Sequence, residues 1–206
     1  MSIEIKRSIK PVDYKDAMQL LEKRVENVIN RCEKELIWFL EHNEIYTAGT
    51  NFSKSDILDD SINLVKTKRG GKITCHSPGQ LICYFVIDLR KRNKDIRKFV
   101  IILENSIIET LREFKIKSKS DRKNIGIWIK DQNEQKKVAA IGIRVRKWVA
   151  YHGFSININN NLNTFNKIIP CGLKDKKIIK LDDISNIKYI KFLNILEKNL
   201  IKNLSD

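Results

Sequence analysis

The sequence predicts an α+β fold in a single domain, residues 1–206, with helices packed on a mixed β-sheet. Three observations carry that prediction. Apolar residues recur at helical spacing in three stretches, and short apolar or alternating runs between them read as strands. No repeat, low-complexity linker or shift in composition divides the chain. At 206 residues, with 42% hydrophobic and 32% charged residues, it is long enough and apolar enough to bury a core.

The elements follow in order. Pro11-Val12-Asp13 precedes Ala17, Leu20, Leu21, Val25, Val28 and Ile29 at helical spacing, with Asp13 as N-cap. Leu36 to Leu40 reads as a strand and Thr47-Ala48-Gly49-Thr50 as a tight loop. Ile62 to Val65 reads as a short strand. Arg69 to Gln80, RGGKITCHSPGQ, holds the densest glycine-proline punctuation and leads into a buried strand, LICYFVIDL. Ile96 to Phe114 is a helix with a wide apolar stripe. After the polar joint KSKSDRKN, Gly126 to Lys130 and Lys137 to Val145 flank the turn DQNEQ as a hairpin. Trp148 to Asn159 is a further strand, and a loop with Pro170-Cys171-Gly172 follows. Ile187 to Leu204 closes the chain as a helix.

Composition excludes some functions. No segment approaches the roughly 20 apolar residues of a membrane helix. The opening MSIEIKRSIK lacks the apolar core of a secretory signal, so a cytoplasmic location is expected. The four cysteines form no CxxC pair and have no histidines at zinc spacing, so neither a metal site nor a disulfide framework is expected. Forty Lys+Arg against 25 Asp+Glu give a net charge of +15. The lysines are scattered rather than banded, which fits compositional drift, yet the positive field still draws acidic partners. The aromatics do not interleave with the basic residues, which argues against nucleic acid.

Four segments could carry chemistry. In RGGKITCHSPGQ the paired glycines let the backbone approach a ligand, Arg69 could bind an anion and His76 could position a polar group. Taken alone, such a stretch is more often a plain turn. In KKVAAIGIRV the small residues Ala139, Ala140 and Gly142 leave room for a ligand, and Lys137 opens the strand. A lysine at a strand end is usually solvated. In WVAYHGFSININ, His152-Gly153 interrupts an apolar strand, and a histidine there is more often structural than catalytic. In IPCG, Pro170 restrains the loop and Gly172 leaves space beside the thiol, so Cys171 could be exposed without being mobile, as a nucleophile requires. Lone cysteines are otherwise commonly small core residues.

Together the segments RGGKITCHSPGQL, GIWI, KVAAIGIRV, YHGFSININ and IPCGL resemble the lipoyl(octanoyl) transferases, octanoyl-[acyl-carrier-protein]:protein N-octanoyltransferases. The resemblance runs from Arg69 to Leu173 and implies a fold similar to the biotin and lipoate protein ligase catalytic domains. It implies an acyltransferase acting in the first step of endogenous protein lipoylation. Octanoyl, or lipoyl, would pass from acyl carrier protein, an acidic donor, to a specific lysine of an acceptor lipoyl domain. The acceptors would be the lipoyl domains of 2-oxoacid dehydrogenases and the glycine cleavage H protein. Cys171 would be the acyl-thioester nucleophile, activated by Lys137; Val138-Ala139-Ala140-Ile141-Gly142 fixes that register over Lys136. Substrate would lie against Arg69, Gly70, Gly71, Lys72, Ile73, Thr74, Cys75 and His76, against Ala140, Ile141 and Gly142, and against Gly153, Phe154 and Ser155. No cofactor and no metal are implied.

The chain departs from the family pattern at Cys75 and Ser77, where Tyr and Gly are usual, and at Asn161, where aspartate is common. The loss of a tyrosine at position 75 would remove a ring and a hydroxyl from the acyl site. The rival reading is an ATP-dependent lipoate or biotin ligase, which would use Lys137 on an adenylate and need no nucleophilic cysteine.

Overall fold

The computed structural model describes residues 3–170 and 177–205. The large sheet has seven strands. In chain order these are β1 (Ile3–Arg7), β2 (Glu35–Leu40), β6 (Gln80–Asp88), β7 (Ser118–Ser120), β8 (Ile127–Asp131), β9 (Glu134–Arg146) and β10 (Val149–Asn157). Their spatial order is β1-β2-β6-β10-β9-β8-β7, with β1 parallel to β2 and the other pairs antiparallel. A small sheet of β3 (Ile45–Ala48), β4 (Leu64–Lys66) and β5 (Ile73–His76) runs in the order β4-β3-β5. Both sheets are mixed, as expected.

Alternation sorts the central strands onto two faces. Leu36, Trp38, Leu40, Ile82, Tyr84, Val86, Val149 and Tyr151 meet Ala17, Leu21, Val25 and Val28 of helix α1 (Tyr14–Ile29). Ile37, Phe39, Cys83, Phe85, Ala150, Phe154 and Ile156 meet two other helices, α2 (Ile96–Glu113) and α3 (Tyr189–Ser205). Asp13 caps α1 by accepting from the amides of Lys15 and Asp16, as the sequence predicts.

Several elements differ from the sequence reading, each for a local reason. The tight loop expected at Thr47-Ala48 is the end of β3, paired to both neighbours in the small sheet. Residues Ile73–His76, inside the glycine-proline stretch, form β5. The polar joint supplies edge strand β7. The hairpin turn is shorter than DQNEQ: only Gln132 and Asn133 turn, both at positive φ (46° and 68°), as a two-residue hairpin demands. Glu134, Gln135 and Lys136 therefore join β9 despite their polarity.

Glu35, 1% exposed, is held by Arg92 at 2.6 and 3.0 Å and accepts from the Asp88 amide at 2.7 Å. This bridge secures the β2–β6 pair at the end remote from the cavity described next.

Candidate active site

Strands β9 and β10 build a trough. Their register sets Ala140 against Ser155 and Gly142 against Gly153, and these four small residues share the α1 side of the sheet. The larger Ile141 and Phe154 turn toward the opposite core. With little side chain on its floor, a cavity of about 390 Å³ opens there. Tyr14, Ile82 and Tyr84 close one flank. Gly153 admits no substitution, because a Cβ would overlap the Cys83 carbonyl.

The Arg69–Gly71 loop forms the roof. Beyond Ala139 the edge of β9 has no strand beside it among the described residues, and Gly70 docks there, donating from its amide to Ile143 O at 3.2 Å. The amides of Gly49, Thr50 and Asn51 donate to the carbonyls of Lys72, Arg69 and Gly71, each at 3.0 Å. Arg69 reaches inward to Thr47 O (2.8 Å) and Thr47 Oγ1 (2.9 Å), so it clamps the roof as well as lining the cavity. Gly71, at φ 90°, makes the turn that a side chain would resist.

Lys137 stands where this cavity meets a smaller one. Thr74, Lys137, Ala140 and Ser155 line both, and Pro170 and Ile178 line only the smaller. A bulge aims the lysine: Ile127 pairs with Ala139 but Trp128 with Lys137, so Val138 is the extra residue. The side chain runs across Gly126, where a Cβ would overlap Lys137 Cε and sit 3.2 Å from Nζ. Nζ lies 5.4 Å from the centroid of the Trp128 ring, within reach of a cation–π attraction. Lys137 is 8% exposed, not the solvated lysine that a strand end commonly carries.

Cys171 lies outside the described residues, with Gly172 and Leu173. Before it, Ile169 N donates to Asp56 O (2.7 Å) and Pro170 lines the smaller cavity; after it, Lys137 N donates to Lys177 O (2.9 Å) and Ile179 N to Lys137 O (3.1 Å). Arg69 through Thr74, His76, Ala140, Ile141, Gly142, Gly153, Phe154 and Ser155 all line the main cavity, as does Lys137. Cys75 does not. It faces Tyr46, Ile73 and Phe165 behind the small sheet, where burial pushes its thiol up to about 11. Cys75, expected to lie against substrate, is therefore no part of the cavity wall. The Ile82 and Tyr84 flank escaped the sequence reading, because both lie in a strand that is buried on each face. Among the described residues, no group of three or more His, Cys, Asp or Glu is placed to hold a metal ion.

All three histidines belong to this region. His42 donates from Nδ1 to Val12 O (2.7 Å) and accepts from the Tyr84 hydroxyl at Nε2 (2.8 Å). His76 donates to Gln80 Oε1 (2.7 Å); Gln80 Nε2 donates to Asn157 Oδ1 (2.8 Å), and Asn157 to Ile179 O (3.2 Å). This chain ties the roof to the segment beside Lys137. Burial, reinforced by His42, pushes His76 down to about 3. Burial, reinforced by Arg69 and Arg144, pushes His152 down to about 4, and burial lowers His42 as well. In the unfolded chain each takes a proton near pH 6.5. Between that pH and about 4 the unfolded state binds more protons, so stability falls as pH falls, by at most about 1.4 kcal/mol per pH unit per histidine. Glu104, raised by burial, acts in the opposite sense lower in the range. The urea midpoint should hold steady from pH 8 to 7 and drop between pH 6.5 and 4.5. A flat midpoint across that window would contradict this.

Comparisons with known proteins agree with the geometry. Residues 13–201 match the model of the lipoyl protein ligase A/B catalytic domain. The chain is 45% identical over 199 residues to an octanoyltransferase of Ehrlichia chaffeensis, covering 95% of this chain and 93% of that protein. A bipartite lipoate protein ligase from Thermoplasma acidophilum shares the fold at 12% identity, with a TM-score of 0.73 over 100% of this chain and 84% of that one. A biotin protein ligase from Aquifex aeolicus solved with biotin and ATP is similar at 16% identity, with a TM-score of 0.56 over 98% and 70% of the two chains. The expected ligase-like fold is thus observed, and the chain belongs to the lipoyl protein ligase A/B catalytic-domain family, among its octanoyltransferases.

Proposed function

We propose that this octanoyltransferase draws its octanoyl group from an acyl-carrier-protein thioester, holds it as a thioester on Cys171 and passes it to the lysine of a lipoyl domain. One observation supports the reading: at the mouth of the main cavity Lys137 is hydrogen-bonded to Lys177 and Ile179 on one side of the Cys171 segment and shares the smaller cavity with Pro170 on the other.

The chemistry balances without ATP. The Cys171 thiolate attacks the donor carbonyl; a new C–S bond forms, the donor C–S bond breaks, and the carrier thiolate departs and takes a proton. The acceptor amine then attacks the Cys171 thioester, a C–N bond forms, the C–S bond breaks, and the amine proton is returned toward the cysteine. Lys137 would stabilise the thiolate or move its proton. The buried thiols of Cys75 and Cys83, both raised by burial, are poor nucleophiles by comparison.

The test mixes enzyme, octanoyl carrier protein and a lipoyl domain without ATP. The domain should gain one octanoyl group on its lysine. Because the chain carries a net charge of +15, raising salt should slow transfer from the acidic carrier more than transfer from a small octanoyl thioester. Equal salt sensitivity would remove electrostatic recruitment. Transfer that requires ATP and free octanoate would favour the ligase reading instead.

A further inference from the structure

His152 sits on the wrong side of its strand. It pairs with Phe85 and Ile143, both of which face the α2–α3 core. Alternation would send its ring there as well. At φ 71° the backbone instead turns the ring back, to stack on Tyr151 at 4.7 Å and line the main cavity. A left-handed conformation inside a strand is costly for a residue other than glycine, and such strain collects at functional positions. His152 is 5% exposed, and its Nε2 has no hydrogen-bond partner among the described residues.

Its position along the trough is informative. The reacting end is marked by Thr74, Lys137, Ala140 and Ser155, which line both cavities. His152 pairs with Ile143, three positions from Ala140 along β9, or about 10 Å at the usual strand rise. An extended chain advances roughly 1.2 Å per bond, so an octanoyl chain spans about 9 Å from carbonyl to methyl.

Building on the transferase reading, we infer that His152 is the stop at the far end of the acyl trough, the residue that limits the chain to about eight carbons. Each methylene added to an apolar site strengthens binding about fourfold. A methylene pressed against the buried, strand-held His152 ring instead has no room, so this gain is forfeited. The ring stays neutral there, as burial beside Arg69 and Arg144 dictates. The stop therefore acts by size.

The experiment compares kcat/KM for carrier-protein thioesters of eight, ten and twelve carbons in wild type and in His152→Gly. Glycine adopts the positive φ freely, so this variant removes the ring and relieves the strain. Its twelve-to-eight-carbon ratio should rise at least tenfold over wild type, with acyl-enzyme mass showing the longer chain on the protein. An unchanged ratio, within about twofold, in a protein that melts cooperatively would overturn the stop. Should His152→Gly fail to fold, His152→Asn carries the test by the same criterion, since asparagine tolerates this conformation. A wild type that takes up no octanoyl at all would count against the transferase reading rather than against the stop.

Discussion

Cys171→Ala should take up no acyl group from an octanoyl carrier protein, whereas wild type gains one octanoyl unit that hydroxylamine removes. Transfer to a lipoyl domain should fall on the order of 10³-fold or more, because the loss of the nucleophile removes the covalent route altogether. The other cysteines offer no substitute. Cys75 and Cys83 are 1% and 0% exposed, and burial raises both thiols. Cys32 is exposed just after α1 and is absent from the cavity wall. Intact mass decides the matter. Equal labelling of Cys171→Ala would sink the assignment.

Lys137→Ala should lower transfer by roughly 10²–10⁴-fold, the range found when a positioned proton-transfer group is lost. Lys137→Arg separates two roles. Arginine keeps the positive charge but does not release a proton near neutral pH. If proton transfer dominates, the arginine variant should be as slow as the alanine variant. If charge suffices, it should keep much of its activity, and Cys171 should still alkylate fast at pH 7. Gly126→Ala adds a control that leaves the lysine in place chemically. Gly126 has φ 140°, and a Cβ would overlap Lys137 Cε, so the ammonium must shift from its seat over Trp128. That variant should lose at least tenfold in kcat and slow the alkylation of Cys171 at neutral pH. Full activity in Lys137→Ala would show that the lysine only fills space.

The helices and the central strands were legible because each keeps one period long enough to count: α1, α2, α3 and β6 lie close to their expected bounds. The short strands were not. β1, β3, β5 and β7 hold three to five residues each, and pairing partners rather than their own pattern make them strands. The site was legible as a set of segments, since five motifs in register carry far more weight than one glycine pair or one lysine. Orientation was beyond the sequence. Nothing local says that Cys75 turns behind the small sheet, because that depends on the β3–β5 register. Nor could periodicity reveal that His152 breaks its alternation, since a single residue at positive φ leaves no trace in composition. The histidine read as structural is the one whose nitrogen is left without a partner among the described residues.

The β9–β10 ladder works as a ruler with coarse graduations. Moving the histidine together with its positive φ one position along β10 exchanges the two faces of the sheet and takes the ring off the trough. Moving it two positions shifts the end of the trough by roughly 6.6 Å, the length of five or six carbon–carbon bonds. Relatives that keep this ladder can therefore tune acyl length by one or two carbons only through side-chain size at a fixed station. Sliding the station would instead produce jumps from medium-chain to long-chain acyl groups, with no intermediate steps through which selection could pass.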